Sequence, residues 1–308
     1  MLQQTTTAAV IPYYAEFTRR WPTVEVLAAA DDATVMAAWA GLGYYARARN
    51  LLACARAVAA SSGSFPESQA ELRALPGLGA YTAAAVAAIA FGRRAVVVDA
   101  NVERVVARLF AIAEPLPAAR AAIRVAADAI TPEAQAGDFA QAMMDLGATV
   151  CTPRHPRCLA CPLSADCAAY RRGDPESFPV KQPRSAKPAR RGRAFWIERN
   201  DAVWLVRRRP GGMLGGMRAL PDDGWSARGD GLGELPLSGA WRPAGAVAHS
   251  FTHFSLTLDL LVYSATDRIS LPPGDGGWWP VARLDAAGLP TLFAKAARLA
   301  LADRERKA

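Results

Sequence analysis

The sequence predicts an all-α half followed by a smaller α/β half. Three observations carry this: the spacing of apolar residues, a change of period beyond Arg193, and a basic, proline-rich stretch between the two patterns. From residue 8 to about residue 150 the apolar positions recur at helical spacing, and no strict alternation interrupts them. Beyond Arg193 the period becomes two. Phe254, Leu256, Leu258 and Leu260 alternate with Ser255, Thr257 and Asp259, and residues 202–206 read as another strand. A chain of 308 residues is long for one core, so two domains are expected, 1–170 and 194–308, joined by a linker over 171–193.

Within the helical half, Val102, Val105, Val106, Leu109 and Phe110 stack on one face, with Glu103, Arg104 and Arg108 expected to face away. A second stripe is Tyr45, Ala48, Leu52, Ala55 and Ala59, which leaves Arg49 and Arg56 on another face. In the second half, glycine-rich turns at 211–216 and 274–277 separate strands, and residues 292–301 read as a closing helix.

The net charge of +8 is unevenly placed. Residues 1–170 hold 14 basic and 14 acidic side chains, 171–193 hold 8 and 2, and 194–308 hold 14 and 12. A grip on a polyanion by the first half must therefore come from local arginines and backbone amides. The linker reads either as a solvated tether or as a phosphate contact. No apolar run long enough to span a bilayer and no secretory leader pattern is present, so a reducing cytoplasm is the expected compartment and no membrane partner is expected.

Three features carry chemistry. Leu75-Pro76-Gly77-Leu78-Gly79 joins a helical pattern over 71–74 to another over 80–91. Gly77 and Gly79 suit a tight turn, which reads as a plain helix connection or as a set of amides offered to a phosphate at a helix start. Asp99 follows the apolar run 95–98 and precedes a helix starting near Asn101, so it either caps that helix or places a carboxylate at the mouth of a groove. Cys151, Cys158, Cys161 and Cys167 form C-x6-C-x2-C-x5-C, a metal-site pattern fit for zinc or a four-iron cluster. The uneven spacing, with Arg154, His155 and Arg157 in the long loop, favours the cluster. Cys54 reads as a buried thiol.

Taken in this order, these elements resemble the endonuclease III superfamily of DNA glycosylases. The likeness covers 1–170, with a helix-hairpin-helix at about 71–91 and an iron-sulfur loop at 151–167. Within that superfamily the chain is similar to the MutY-type adenine DNA glycosylases, through MLQQT at 1–5, GLGYYARARN at 41–50 and QAMMDLGA at 141–148. The second half resembles the Nudix-like domain of the same enzymes, with Phe251-Thr252-His253-Phe254 as the telling stretch.

The resemblance implies a monofunctional DNA N-glycosylase of base excision repair that removes adenine mispaired with 8-oxoguanine or guanine, flipping it from the helix. It implies one [4Fe-4S] cluster on the four cysteines, and a double-stranded DNA partner carrying the 8-oxoguanine:adenine mispair. It also implies a monomeric, bacterial, nucleoid-associated protein. Asp99 matches the acid that stabilises the oxocarbenium-like sugar, and Asn101 would support it. Tyr81 stands where the related lyases carry a lysine nucleophile, and a phenol forms no Schiff base. Tyr44 matches a wedge into the base stack, Gln3 and Gln4 match lesion contacts, and Gln141 matches a residue of the adenine pocket. Thr252 and His253 match the loop that checks for 8-oxoguanine, with threonine in place of the usual serine.

In the family a glutamate two residues ahead of the methionine of MLQQT protonates adenine; here that methionine is Met1. Glu16 and Glu25 match nothing in the family. The sequence as it stands is therefore expected to be N-terminally truncated, either through a misplaced start or as a remnant that binds lesions without cutting.

Overall fold

The computed structural model describes residues 1, 6–182, 186–209, 213–264, 271 and 275–306. It divides into two compact units, one of Met1–Arg56 with Ala186–Ala308, the other of Ala57–Ser185. No described helix is long and apolar enough to cross a membrane.

The first unit opens with α1 (Thr7–Arg20), α2 (Val24–Ala28), α3 (Asp32–Ala38) and α4 (Ala46–Ala60), the last of which crosses the division. Thr6, Thr23 and Asp31 cap the first three through side-chain oxygens that accept first-turn amides. Phe17, Val35, Trp39, Tyr45, Ala48 and Leu52 close their core, joined by Met217 from the sheet region. The stripe expected on α4 is buried from Tyr45 to Ala55, and Ala59 is half-buried.

The same unit holds a mixed sheet of β1 (Ala189–Arg199), β2 (Ala202–Arg207), β3 (Arg218–Ala219), β4 (Arg242–Ser250), β5 (Ser255–Ser264) and β6 (Gly276–Pro280). Its order is β3-β2-β1-β5-β4, with β6 also on β2; β1 and β5 run parallel and the other pairs antiparallel. Asn200 and Asp201, both at positive φ, make the two-residue turn between β1 and β2. The predicted alternation on β5 holds: Leu256, Leu258 and Leu260 are buried while Thr257 and Asp259 are exposed.

Strand β1 escapes a period-two reading because Ala194, Phe195, Trp196 and Ile197 are all buried, Trp196 in one cluster and Phe195 in another. A central strand covered on both faces reads as a continuous apolar run. The strand begins at Ala189, so the last five residues of the basic stretch are already sheet. A closing helix follows as predicted, running from Thr291 to Glu305 (α11 once α5–α10 of the other unit are counted).

The second unit contains α5 (Gln69–Ala74), α6 (Ala80–Phe91), α7 (Ala100–Leu109), α8 (Arg120–Ile130), α9 (Ala136–Thr149) and α10 (Ala168–Arg171). Helix α9 lies against both α6 and α7, and two glycines set the approach. A Cβ at Gly137 would run into the Ala88 carbonyl, and one at Gly147 would stand 2.6 Å from Asn101 Cβ.

Two expectations fail in this unit. On α7 the arginines do not all face away: Arg108 is only 2% exposed, whereas Phe110, assigned to the buried stripe, is 43% exposed. The cysteine loop covers the flank of α7 that amphipathic reasoning assigned to solvent, as the bonds from Arg108 to Thr152 and Pro153 show. The linker is also less bare than its composition suggests. Phe178 is buried beneath Arg172, and the Leu116 amide donates to the Val180 carbonyl at 2.8 Å.

Candidate active site and nucleic-acid interface

The hairpin sets one edge of the site in the second unit. Ser68 caps α5 and accepts from the Glu71 amide at 3.3 Å, the first half of a capping box. The chain then turns through Pro76 and Gly77, closed by the Leu78 amide donating to the Leu75 carbonyl at 3.3 Å. Gly77 sits at φ +77°, the left-handed region that a proline-glycine turn needs at its third position. Gly79 caps α6 with no side chain to satisfy the first-turn amides, and no atom lies within 4 Å of where its Cβ would be. Both glycines are exposed, so an outside oxygen can approach the backbone at the positive end of α6.

Asp99 is the N-cap of α7 and is half-buried. Its Oδ1 accepts from the Asn101 amide at 2.9 Å and the Val102 amide at 2.7 Å, while Oδ2 accepts from Asn101 Nδ2 at 3.2 Å. Capping fixes one oxygen and leaves the other with a single side-chain partner. Tyr81, in the first turn of α6, donates from its hydroxyl to Met144 Sδ at 3.6 Å. Burial first, and the Asp99 charge second, push the Tyr81 phenol above its ordinary value. The structure thus brings Tyr81, Asp99 and Asn101 together. Gln141 lies on α9, where its amide donates back to the Gly137 carbonyl at 3.3 Å.

Arg104, which sequence reasoning passed over, ties this site to the cysteine loop. It donates to Asn101 Oδ1 at 2.9 Å, to the Gly147 carbonyl at 2.6 Å and to the Cys151 carbonyl at 2.7 Å. Its position one turn after Asn101 was the available signal, since such pairs meet on a helix.

Cys151, Cys158, Cys161 and Cys167 line one cavity, with Arg108 and Tyr170 among its walls. Burial first, then Cys151, Cys167 and Cys161, push the Cys158 thiol up. Among the described residues no three His, Cys, Asp or Glu side chains converge on a point that would hold a single ion. Four thiols around one cavity are a donor set that suits either zinc or an iron-sulfur cluster. Cys54 is buried, and burial raises its thiol, as expected of a core cysteine.

The first unit carries a separate constellation. Tyr44, half exposed at φ +45°, has the Arg47 guanidinium 5.3 Å from its ring centroid. Arg47 also donates to the Leu42 carbonyl, and burial lowers its pKa. Thr252 Oγ lies 3.5 Å from the Tyr44 hydroxyl, the outer limit of a hydrogen bond. Both Thr252 and His253 are exposed at the tip of the β4–β5 loop.

Beneath that tip, Phe251 and Phe254 stack at 4.6 Å and the Phe251 amide donates to the Phe254 carbonyl at 2.9 Å. His249 packs edge-on against Phe251. Gln3 and Gln4 lie outside the described residues. Glu16 is paired with Arg19 and Arg20, and Glu25 bonds Thr23, so both carboxylates are committed within their own segments.

Residues 1–126 match the model of the HhH-GPD superfamily base excision DNA repair protein. The chain belongs to that superfamily. Residues 193–299 match the NUDIX domain, so this superfamily member joins a helix-hairpin-helix part to a Nudix domain built on a sheet.

Curated relatives of this superfamily member include the adenine DNA glycosylase of Homo sapiens, 33% identical over 97% of this chain and 66% of that protein. The adenine DNA glycosylase of Mus musculus is 45% identical over 56% of this chain and 34% of its own length. That of Mycolicibacterium smegmatis is 45% identical over 53% and 56%. The chain thus spans between 34% and 66% of the length of these three relatives.

Among solved structures, a thermostable thymine-DNA glycosylase superposes with TM-score 0.51 at 32% identity, covering 56% of this chain and 80% of that one. A trapped endonuclease III–DNA covalent intermediate superposes with TM-score 0.50 at 26% identity, covering 56% and 81%.

Proposed function

We propose that the protein is a monofunctional adenine DNA glycosylase, acting in base excision repair on adenine opposite 8-oxoguanine or guanine in double-stranded DNA. The observation that carries this reading is Asp99, whose carboxylate is held by two α7 amides and Asn101 beside the Tyr81 phenol. An anion fixed in that way before the reaction stabilises the cationic sugar that forms as the N-glycosidic bond breaks, and water then completes the hydrolysis. Strand cleavage by a lyase needs an amine to form a Schiff base. Tyr81 supplies none, and the first lysine in the sequence is Lys181.

The hairpin amides at Gly77 and Gly79 hold the backbone phosphate while the adenine is out of the stack. Tyr44 and Thr252, on the other unit, contact the partner base, and Thr252 contributes a hydroxyl that bonds the oxidised guanine. The four cysteines would hold one [4Fe-4S] cluster, which when bound braces the loop 151–167 and with it Arg154 and Arg157 for phosphate contact. Monomeric action in the cytoplasm of a bacterium belongs to the same reading.

The test is a single-turnover assay on duplexes that differ only in the mispair, with strand scission scored separately. Expected are adenine release opposite 8-oxoguanine exceeding that opposite guanine, no scission, and a narrower preference in Thr252→Ala. Release of pyrimidine bases instead, or scission that survives Tyr81→Phe, overturns the reading.

A second reading, lesion binding without base release, is favoured by the engagement of Glu16 and Glu25, which leaves neither to protonate adenine. Tight binding of the mispair with no release establishes it.

A further inference from the structure

We propose that Arg108 is the internal counter-charge of the iron-sulfur site, a positioning residue whose guanidinium is balanced by the thiolates and by no carboxylate. The inference rests on the cluster reading above. Arg108 sits near the end of α7, only 2% exposed. Its Nε donates to the Phe178 carbonyl at 3.1 Å, Nη1 to the Thr152 carbonyl at 2.8 Å and to Cys151 Sγ at 3.2 Å, and Nη2 to the Pro153 carbonyl at 3.2 Å. Cys167 Sγ lies 3.5 Å from the Arg108 carbonyl oxygen, so the residue touches the first and the last of the four cysteines.

These contacts engage four of the five N–H donors of the guanidinium but leave its charge unbalanced. Among the described residues no aspartate or glutamate pairs with it. An arginine stays protonated wherever it is placed, and a buried charge without a partner is strongly unfavourable. Carbonyl dipoles offset part of that cost. Among the described residues bonded to it, only the cysteine sulfurs can carry a full negative charge; they are thiolates when they bind iron, and four thiolates around a four-iron cluster leave a net negative charge.

The pairing works in both directions. The guanidinium stabilises the anionic cage and, more strongly, its one-electron-reduced form, so it raises the reduction potential. The cage in turn makes the buried guanidinium affordable, and removing the iron leaves that charge unmatched.

The test compares the full chain with Arg108→Met, Arg108→Gln and Arg108→Lys. Iron and sulfide content, loss of absorbance near 400 nm under a chelator, reduction potential and thermal unfolding are measured, the last with and without the cluster. In the loaded protein Arg108→Met is expected to lower Tm and to release iron on the order of tenfold faster, as removal of a contact behind a metal ligand does. The potential should fall in Arg108→Met and Arg108→Gln and stay near the parent value in Arg108→Lys.

In the cluster-free protein the sign of the stability effect should reverse, with Arg108→Met the more stable, because the unmatched charge is gone. A loss of Tm equal in both forms with an unchanged potential shows a plain carbonyl clamp and overturns the proposal. Should Arg108→Met fail to fold, or the cluster-free form be unfolded, the potentials of Arg108→Gln and Arg108→Lys decide it, equal values overturning the proposal. Absence of iron from the parent protein defeats the cluster reading itself, a distinct result.

Discussion

Asp99 caps α7 through Oδ1, which any good N-cap does, and in the proposed reaction its charge stabilises the cationic sugar, which only a carboxylate does. Asp99→Asn is therefore expected to leave stability within a few tenths of a kcal/mol, because asparagine caps as well as aspartate. It should lower base release on the order of 10²–10³-fold, the usual cost of a lost preorganised electrostatic contact. Asp99→Ala should lose both, with about 1 kcal/mol of stability gone with the cap. Urea unfolding reads the first effect and single-turnover base release the second. Equal losses of stability in the two variants would show that the cap is not what holds α7. From the sequence, cap and catalyst read as rival interpretations of Asp99; the two oxygens have different partners, and that distinction exists only in three dimensions.

Among elements, the hairpin and the α7–α9 contact define the site, and both depend on glycine for different reasons. Gly77 needs its freedom of φ, so Gly77→Ala should cost about 1 kcal/mol, as a left-handed conformation does for an L side chain. Gly79 sits at φ −75° with open space around it, so Gly79→Ala should meet no clash and cost only about 0.5 kcal/mol, through the weaker N-cap. Both should weaken duplex binding if the amides hold a phosphate. Wild-type DNA affinity in both variants, read by anisotropy, reduces the hairpin to a helix connection.

Gly147 needs closeness. An alanine there would press on Asn101, which carries the second oxygen of Asp99. Gly147→Ala should cost about 1–3 kcal/mol by overpacking and slow base release more than an equally destabilising change elsewhere in the unit. The hairpin was legible in the sequence, because proline and glycine state their local geometry. The glycine on α9 was not, because a helical glycine announces close approach without naming the partner.

For the molecule as a whole, two conditions should expose how the units are built. Burial first, and Lys295 second, hold His249 below its ordinary value of 6.5. A histidine lowered on folding binds its proton more readily unfolded, so stability is full above the unfolded pKa and declines as pH falls through 6.5 toward the folded value. The unit containing the sheet should therefore lose Tm over that interval, and His249→Gln should flatten the dependence in thermal unfolding measured against pH.

Duplex binding should also weaken steeply with salt if phosphates are the main contacts, since each neutralised phosphate releases counterions. The helical half is charge-balanced, so Arg154→Gln or Arg157→Gln should each reduce the slope of log affinity against log salt by about one. An unchanged slope places the phosphate contacts elsewhere.

The sequence by itself determined the order of the elements, the hairpin, the position of Asp99 ahead of α7, the four-cysteine spacing and the alternating strand β5. All are local: turn residues, caps, metal-ligand spacing and a half-buried strand state their geometry within a few neighbours. Only the tertiary structure decided that Arg108 is buried and touches Cys151, that Arg104 links Asn101 to the cysteine loop, and that β1 is covered on both faces. It also decided that Phe178 within the basic stretch belongs to a core. The physical reason is the same in each case. Periodicity tells which residues share a face, but whether water, a second helix or a cysteine loop covers that face depends on chain that lies far away in sequence.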